Sequence, residues 1–513
     1  MKSANISEKD SDKCRMNNIN SKKRIILLYT IFTIYIVINA VAIYYHEPWR
    51  DEAQTFLLDR DLSIKELVDM MASEGHSCLW HLLSYPFIKM GVGIYIQNIF
   101  SLVLCSVAAW LVLFRAPFHI GLRILIVFSS ILTYEYPVIA RCYALVPLIL
   151  FLAADMYPSR EKHPYQYSLL LALLVQTHLY MLMMAFLMSL FFLVEQFKKG
   201  MKENHLLKNL LPLLLPFLSA LFLIYEVTPL YQTNSPVTAV QVVMAFYQMM
   251  KSVTGDNLFL IARLLCFILV ISLLAPLFLK IDKRDKHIFT IMSLSIIFQA
   301  YFAAAIYPTN MQRIILIFCI LTWGIWILYE PSKSINLSQN HENAIQLNIW
   351  TLFRRFLLME LSVFCMFLLV ESGNDIRKDL IQPYSNAKNA AAYMNSNCDS
   401  DSIVFADYEP AASSLLPYLT DVKTMIDGSN GRTFSFVQWN QPHDLYLSGG
   451  EELYDSIVKL IKNGNYNSSV YLVSCNILTK QFMNSKTDFV KVYESEEPAI
   501  VLDENYTIYK YEG

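Results

Sequence analysis

The sequence contains little charge and little glycine. Only 16% of its 513 residues are Asp, Glu, Lys or Arg, 55% are hydrophobic, and 14 are Gly. This composition is too apolar for a soluble protein of this length and too patterned for a disordered one. The nine cysteines show no CxxC pair and no Cys/His ligand spacing, so neither a zinc knuckle nor a disulfide scaffold is indicated. No GxGxxG or GxxxxGK[ST] segment is present, so we expect no soluble nucleotide pocket. A nucleic-acid partner is not expected either.

Long apolar runs, in contrast, are abundant up to residue 371. A membrane-spanning helix needs about 20 mostly apolar residues. One further segment, Leu79–Met90, is short and mixes His, Ser, Tyr, Pro and Lys with apolar residues, so it predicts an amphipathic helix lying in the membrane plane. About eleven runs are predicted to span the membrane: 25–45, 93–113, 119–135, 142–157, 165–178, 180–197, 207–226, 257–279, 288–306, 311–329 and 351–371.

The distribution of basic residues predicts the orientation of these spans. If Lys22, Lys23 and Arg24 lie in the cytoplasm, most other Lys and Arg residues of the first 371 positions fall in cytoplasmic loops, as the positive-inside rule requires. Counting 79–90 as a span would invert the later loops and destroy this asymmetry. We therefore expect a multi-pass protein of the cell membrane with a cytoplasmic N-terminus and an extracytoplasmic C-terminus.

Three regions follow from this layout. Residues 1–24 are predicted to be a disordered cytoplasmic tail, and 25–371 a helical membrane domain whose first outer loop is 46–92. Residues 372–513 have the composition of a soluble, extracytoplasmic α/β domain. Alternating and periodic patterns in this last region predict strands at 402–407, 422–427, 468–474, 488–493 and 506–512, and helices at 386–396 and 450–464.

The segment HEPWRDEAQTF, 46–56, places Asp51 and Glu52 directly after the first span. An amphipathic stretch follows, which would lie along the membrane and wall off a cavity. A carboxylate held against such a wall is partly desolvated, which raises its pKa and suits it to removing a proton. The ordinary alternative is that both acids are solvated charges at a helix end.

Basic and polar residues are predicted at the outer ends of later spans. Arginine near a membrane is costly and usually has a partner, and its guanidinium group can grip a phosphate with two hydrogen bonds. A carboxylate base facing several such arginines fits transfer of a sugar from a lipid-linked phosphate carrier to an outer hydroxyl. The candidate substrate-binding residues are Arg141, Arg263, Arg313, His76 and His178.

Residues 25–230 resemble the GT-C superfamily of polyprenyl-phosphate-sugar glycosyltransferases, and are most similar in pattern to protein O-mannosyltransferases and lipid A aminoarabinose transferases. These families have an early Asp-Glu pair, then a Gly-His-Pro-Pro-Leu-like segment on an in-plane helix, then an Arg-Tyr pair at an outer helix end. The matching residues are Asp51, Glu52, Gly75, His76, Leu79, Arg141 and Tyr143.

By this resemblance Asp51 is the catalytic base, and Glu52 helps to hold the acceptor or a metal. The sequence departs from the family pattern at two places. Ser77 and Cys78 replace the Pro-Pro pair, so the turn before the in-plane helix is expected to be looser. Cys142 separates Arg141 from the tyrosine, so Tyr143, which the resemblance implies as a further substrate-binding residue, lies one position later than in the family pattern.

The sequence leaves several alternatives open. A divalent metal could be held where Asp51, Glu52, Glu74 and His76 converge, although their spacing is not a recognisable ligand set. A transporter or lipid flippase is the first alternative function, but transporters tend to show repeated halves and Gly/Pro-broken helices, whereas this chain has only 14 Gly, no visible repeat and polar groups that gather at one face. A cell-surface polysaccharide polymerase or ligase is the second. The expected partners are the polyprenyl-phosphate sugar donor and a lipid, glycan or protein acceptor outside the membrane.

Overall fold

The protein forms a helical bundle followed by a small α/β domain. The computed structural model describes residues 4–227, 237–255, 259–278, 281–306, 310–330, 341–439, 450–464, 466 and 468–513. The helices of the bundle are α1 Ala4–Tyr45, α2 Arg50–Asp61, α3 Ile64–Glu74, α4 Leu79–Lys89, α5 Ile96–Phe114, α6 Ile120–Phe128, α7 Leu145–Met156, α8 Pro164–Val175, α9 Leu182–Glu203, α10 Leu206–Leu210, α11 Leu214–Val227, α12 Ala239–Thr254, α13 Phe259–Phe278, α14 Lys283–Ala305, α15 Met311–Tyr329 and α16 His341–Ile381.

Within the described residues, eight helical segments are long and apolar enough to cross a membrane, judged by length and composition. Two shorter apolar helices, Pro164–Val175 and Leu260–Pro276, occupy the positions of two further predicted spans. The helical, multi-pass class predicted from the sequence is therefore confirmed. The eight candidate spans are Lys22–Tyr45, Ile96–Phe114, Cys142–Ser159, Leu179–Glu203, Leu206–Val227, Lys283–Ala305, Met311–Tyr329 and Trp350–Ile381.

The predicted span 119–135 is not a continuous helix. The helix α6 has nine residues and ends at Phe128, and an irregular segment runs on to Arg141. Buried side chains satisfy the backbone of that segment: the amide of Asn98 donates to the Val138 carbonyl, and that of Gln312 to the Glu135 carbonyl. Irregular backbone is tolerated inside a membrane protein when it is paired in this way, and hydropathy alone does not reveal such pairing.

Both ends of the helical domain differ from the predicted boundaries. The helix α1 begins at Ala4, so the segment predicted as a disordered tail continues the first span as helix, since extending an existing helix costs less than starting one. At the other end, α16 continues to Ile381 instead of ending near residue 371. The last helix therefore carries the chain directly to the α/β domain.

Residues 387–513 form the α/β domain, called the sheet domain below. The six strands found in its described residues lie in the order β3-β2-β1-β4-β6-β5, with β1 parallel to β2 and β4 and the other neighbours antiparallel. All five predicted strands and both predicted helices are confirmed, and the short β3 was not foreseen. The elements are α17 Ala387–Asn397, β1 Ile403–Ala406, α18 Glu409–Ala412, β2 Met425–Asp427, β3 Thr433–Phe434, α19 Gly450–Gly464, β4 Val470–Ser474, α20 Ile477–Met483, β5 Phe489–Glu494 and β6 Thr507–Tyr511.

One face of α2 packs into the core of the sheet domain. Ala53, Phe56 and Leu57 are buried in the same apolar cluster as residues of α17, β1 and β6. Polar contacts accompany this packing, since the backbone N–H of Arg50 donates to Glu504 at 3.0 Å and its guanidinium group pairs with Asp503. The first loop, 46–92, is thus held between the helical bundle and the sheet domain.

Candidate active site

The helix α2 turns one face toward the sheet domain and another toward a cavity. Trp49 precedes its first turn, and Asp51 and Glu52 lie in that turn, where negative charge is favoured by the helix dipole. Residues three and four positions apart share a helix face, so Asp51, Gln54 and Thr55 point the same way. Ala53, Phe56 and Leu57 point into the sheet domain, which leaves the Asp51 face to line a cavity.

This cavity has a volume of about 290 Å³ and lies between the first loop, the irregular segment before α7, the start of α15 and the sheet domain. It brings together six of the predicted site residues, which are Asp51, Glu74, His76, Arg141, His178 and Arg313. They come from parts of the chain that are far apart in sequence. The complete lining is Asp51, Gln54, Thr55, Ser73, Glu74, Gly75, His76, Arg141, His178, Arg313 and Trp439.

The cavity contains two guanidinium groups held by neighbouring side chains. Arg141 forms an ion pair with Asp51, and its charged end lies 5.6 Å from the ring centre of Tyr143. Arg313 donates from Nε to the hydroxyl of Tyr143 at 3.0 Å. The Tyr143 ring also stacks on His178, with ring centres 4.7 Å apart. Tyr143 is buried and is not among the lining residues, so it supports both arginines from behind the cavity wall.

The two cavity histidines present opposite hydrogen-bonding atoms. Nδ1 of His76 lies 3.1 Å from the Ser77 carbonyl, so it carries the proton and Nε2 is left as an acceptor. Nδ1 of His178 accepts from the backbone N–H of Tyr180 at 3.2 Å, so its Nε2 carries the proton. Burial, together with the nearby His81, lowers the pKa of His76 to about 3. His76 is therefore neutral at physiological pH.

Glu74 is the second carboxyl group of the cavity. It ends α3, and Gly75 follows in the left-handed conformation (φ 76°) that turns the chain toward His76. Burial raises the pKa of Glu74 to about 7, against the opposing effect of a 2.7 Å hydrogen bond from Gln54 Nε2. A carboxyl group that titrates near neutral pH is suited to proton transfer.

Glu52 lies away from the cavity, in a buried polar cluster. Its Oε2 is 2.9 Å from Nε2 of His46, and its Oε1 accepts from the Asn98 amide and the Ala140 backbone N–H, each at 2.9 Å. The other ring nitrogen of His46 lies 3.0 Å from Asp379. All of the hydrogen-bonding capacity of Glu52 is directed at protein groups, so its placement indicates a structural connection between α1, α2 and α16. Its predicted catalytic role stays a prediction.

The charge of His46 follows from this cluster. Burial by itself would lower its pKa, but Glu52 and Asp379 raise it to about 10. His46 is therefore a buried cation between two carboxylates at neutral pH.

Two further predictions are not supported by placement. Arg263 lies on an exposed face of α13 and is not among the residues that line the cavity; its phosphate-binding role stays a prediction. Within the described parts of the chain, no group of three or more His, Cys, Asp or Glu side chains is arranged to hold a metal ion. Of the four candidate ligands, Asp51 is paired with Arg141 and Glu52 faces His46.

The sequence reasoning missed several lining residues. Gln54 and Thr55 could have been found, because they lie three and four positions after Asp51 on a helix. Ser73 borders Glu74 but has no distinguishing pattern. Trp439 could not have been found, because only the folded sheet domain brings it next to α2.

The helical bundle, the first loop of short helices and the C-terminal sheet domain together define a polytopic helical membrane protein. No family model and no curated protein matches the sequence. Among solved structures, the chain is similar to ArnT from Cupriavidus metallidurans, whose crystal structure has undecaprenyl phosphate bound. The match covers 94% of this chain and 98% of ArnT, with 10% sequence identity and a TM-score of 0.55. At this identity the likeness establishes the fold.

Proposed function

We propose that the protein is an integral-membrane glycosyltransferase that moves a sugar from a polyprenyl-phosphate carrier to an acceptor hydroxyl outside the membrane. The observation that carries this proposal is that Asp51, Arg141 and Arg313 line one cavity beside the membrane helices. The fold shared with ArnT, which binds undecaprenyl phosphate, supports the choice of lipid carrier.

In the proposed reaction the acceptor oxygen attacks the sugar carbon that is linked to phosphate. The new carbon–oxygen bond forms as the bond to phosphate breaks, and the carrier leaves as polyprenyl phosphate. Asp51 takes the proton of the acceptor hydroxyl, and ionised Glu74 accepts a hydrogen bond from the acceptor in the same cavity. Arg141 and Arg313 bind the phosphate and stabilise the charge that develops on it. His178 offers an N–H donor beside them.

An apolar groove supports a lipid substrate. It has a volume of about 430 Å³ and lies between α8, α9 and α11, lined by Val175, Leu182, Phe186, Leu193 and Phe217 among others. Val175 and Leu182 flank His178 in sequence, so the groove begins close to the phosphate-binding residues of the cavity. Along α9 it extends for about 16 Å at 1.5 Å per residue. We propose that the polyprenyl chain lies in this groove.

The arrangement of α1 supports the proposed orientation. Its last turn adjoins His46, which contacts Asp379 at the end of α16 next to the sheet domain. If α1 crosses the membrane, the N-terminus and the sheet domain lie on opposite sides. We therefore propose that the N-terminus is cytoplasmic and that the cavity opens on the extracytoplasmic side.

The test is a transfer assay in membranes supplied with labelled undecaprenyl-phosphate-linked hexoses and pentoses. Asp51→Asn should lower the transfer rate by about 100- to 10,000-fold, the usual contribution of a general base. Asp61→Asn, on the same helix but paired with Arg60 outside the cavity, is the matched control and should keep wild-type transfer. Normal transfer by Asp51→Asn would refute the proposed mechanism.

A further inference from the structure

Gln54 uses its entire side-chain amide to join two parts of the protein. Its Nε2 donates to Oε1 of Glu74 at 2.7 Å and to the carbonyl of Val437 at 2.8 Å, and its Oε1 accepts from the backbone N–H of Val437 at 2.9 Å. The residue is 5% exposed. Reversing the amide would place its oxygen against a carboxyl group and its NH₂ against an N–H, so the partners fix one orientation.

Val437 belongs to the sheet domain and is held there by its neighbours. The backbone N–H of Gln438 donates to Glu409, which is also paired with Arg432. Trp439, two residues beyond Val437, forms part of the cavity wall. Among the described residues, the segment 437–439 is therefore the part of the sheet domain that reaches the cavity, and Gln54 fastens it to α2.

We propose that Gln54 is a positioning residue that makes the transfer site depend on the docked sheet domain. One amide fixes the Glu74 carboxyl group inside the cavity and the backbone of the segment that carries Trp439 into its wall. This inference rests on the proposed function and deepens it, because it assigns the sheet domain a part in building the substrate cavity.

The Gln54 side chain and Val437 are buried, so the amide has few alternative hydrogen-bond partners. If Val437 leaves, the Gln54 amide loses one donor and one acceptor contact, and only its hydrogen bond to Glu74 remains. The position of the amide, and with it that of the Glu74 carboxyl group, is then less firmly fixed. Misplacing a reacting group by about 1 Å can cost about 100-fold in rate, even when the change is distant from the chemistry.

The first test replaces Gln54 by Met, which has a similar length and no hydrogen-bonding amide. Hydrogen exchange of residues 433–439 should become faster in Gln54→Met, because Val437 loses its acceptor. The kcat for transfer from the undecaprenyl-phosphate-linked sugars should fall by about 10- to 100-fold. The Kd for undecaprenyl phosphate itself should stay within about twofold, because the phosphate is assigned to the two arginines and not to Gln54.

Gln382→Met is the matched control. The amide of Gln382 also links the helical domain to the sheet domain, donating to the Pro498 carbonyl at 2.8 Å, but it is remote from Glu74. This variant should leave the exchange of 433–439 and the kcat unchanged. An equal loss of kcat in both variants would mean that any weakening of the domain contact suffices, and would overturn the special role of Gln54.

Val437→Pro provides a second variant that leaves the side chains of Gln54 and Glu74 in place. Proline removes the backbone N–H that Gln54 accepts, so kcat should fall as in Gln54→Met. Wild-type kcat in either variant overturns the inference while leaving the proposed function intact. Absence of transfer or of undecaprenyl phosphate binding in the wild type overturns the proposed function, and this inference with it.

Discussion

Replacing Glu52 by Gln should destabilise the protein far more than replacing its neighbour Asp51 by Asn. Glu52 is fully buried and lies 2.9 Å from His46, which in turn lies 3.0 Å from Asp379. Removing one partner of a buried ion pair costs about 3–5 kcal/mol, because the other charge remains buried. The Asp51 side chain is 24% exposed, and a partly solvated pair contributes about 1 kcal/mol or less.

The stability lost in Glu52→Gln should depend on pH, and the charge of His46 determines the direction of that dependence. The pKa of His46 is raised to about 10 in the folded protein, against about 6.5 in an unfolded chain. A raised pKa contributes stability that is complete below about pH 6.5 and is lost as pH rises toward 10. The stability difference between the wild type and Glu52→Gln should therefore be largest near pH 6 and should shrink in alkaline buffer.

Thermal unfolding in detergent with a thiol-reactive dye measures this effect. Eight cysteines in the described part of the chain are free and seven of these are buried, so the dye reports their exposure on unfolding. At about 2 °C per kcal/mol, Glu52→Gln should lower Tm by roughly 6–10 °C and Asp51→Asn by 2 °C or less. If Glu52→Gln keeps the wild-type Tm but loses transfer activity, the structural reading of Glu52 is wrong and it acts in the chemistry.

Three further predictions follow from the cavity and the groove. Arg141→Gln and Arg313→Gln should each weaken undecaprenyl phosphate binding by about 10- to 100-fold, because each loses one charged hydrogen bond of about 1.5–3 kcal/mol. Arg115→Gln, at an exposed position, is the control. Kd values equal to that of the wild type in the Arg141 and Arg313 variants would exclude a phosphate site in this cavity. The transfer rate should rise with pH through about 7 as Glu74 loses its proton. Glu74→Gln should remove this rising part of the pH–rate profile. If the rise is unchanged in the variant, it belongs to the titration of another group. Ala185→Trp, which fills the apolar groove, should weaken binding of undecaprenyl phosphate more than binding of farnesyl phosphate, whereas an equal effect on both would place the chain elsewhere.

Much of the fold could be predicted because its signals are local. Most long apolar runs form helices, and alternation in the last third of the chain located five strands correctly. The prediction failed at 119–135, where apolar composition is combined with irregular backbone. There the backbone carbonyls accept hydrogen bonds from Asn98 and Gln312, which are distant in sequence. A local sequence pattern therefore does not predict these bonds.

The site could be predicted only in part, for a related reason. Charged residues at predicted helix ends are conspicuous, and Asp51, Arg141 and Arg313 line one cavity. The sequence could not show which of Asp51 and Glu52 lines the cavity. Adjacent helical residues point about 100° apart, and only packing decides which one faces it. It also could not show that Trp439 borders that cavity, because only the folded sheet domain brings this residue next to α2.

The most direct test of the central claim is a cryo-electron microscopy structure of the full-length protein with undecaprenyl phosphate bound. The account predicts that the phosphate lies within hydrogen-bonding distance of the guanidinium groups of Arg141 and Arg313, next to the Asp51 carboxyl group, with the lipid chain in the groove along α9. A phosphate bound elsewhere, with Arg141 still paired only to Asp51, would contradict it.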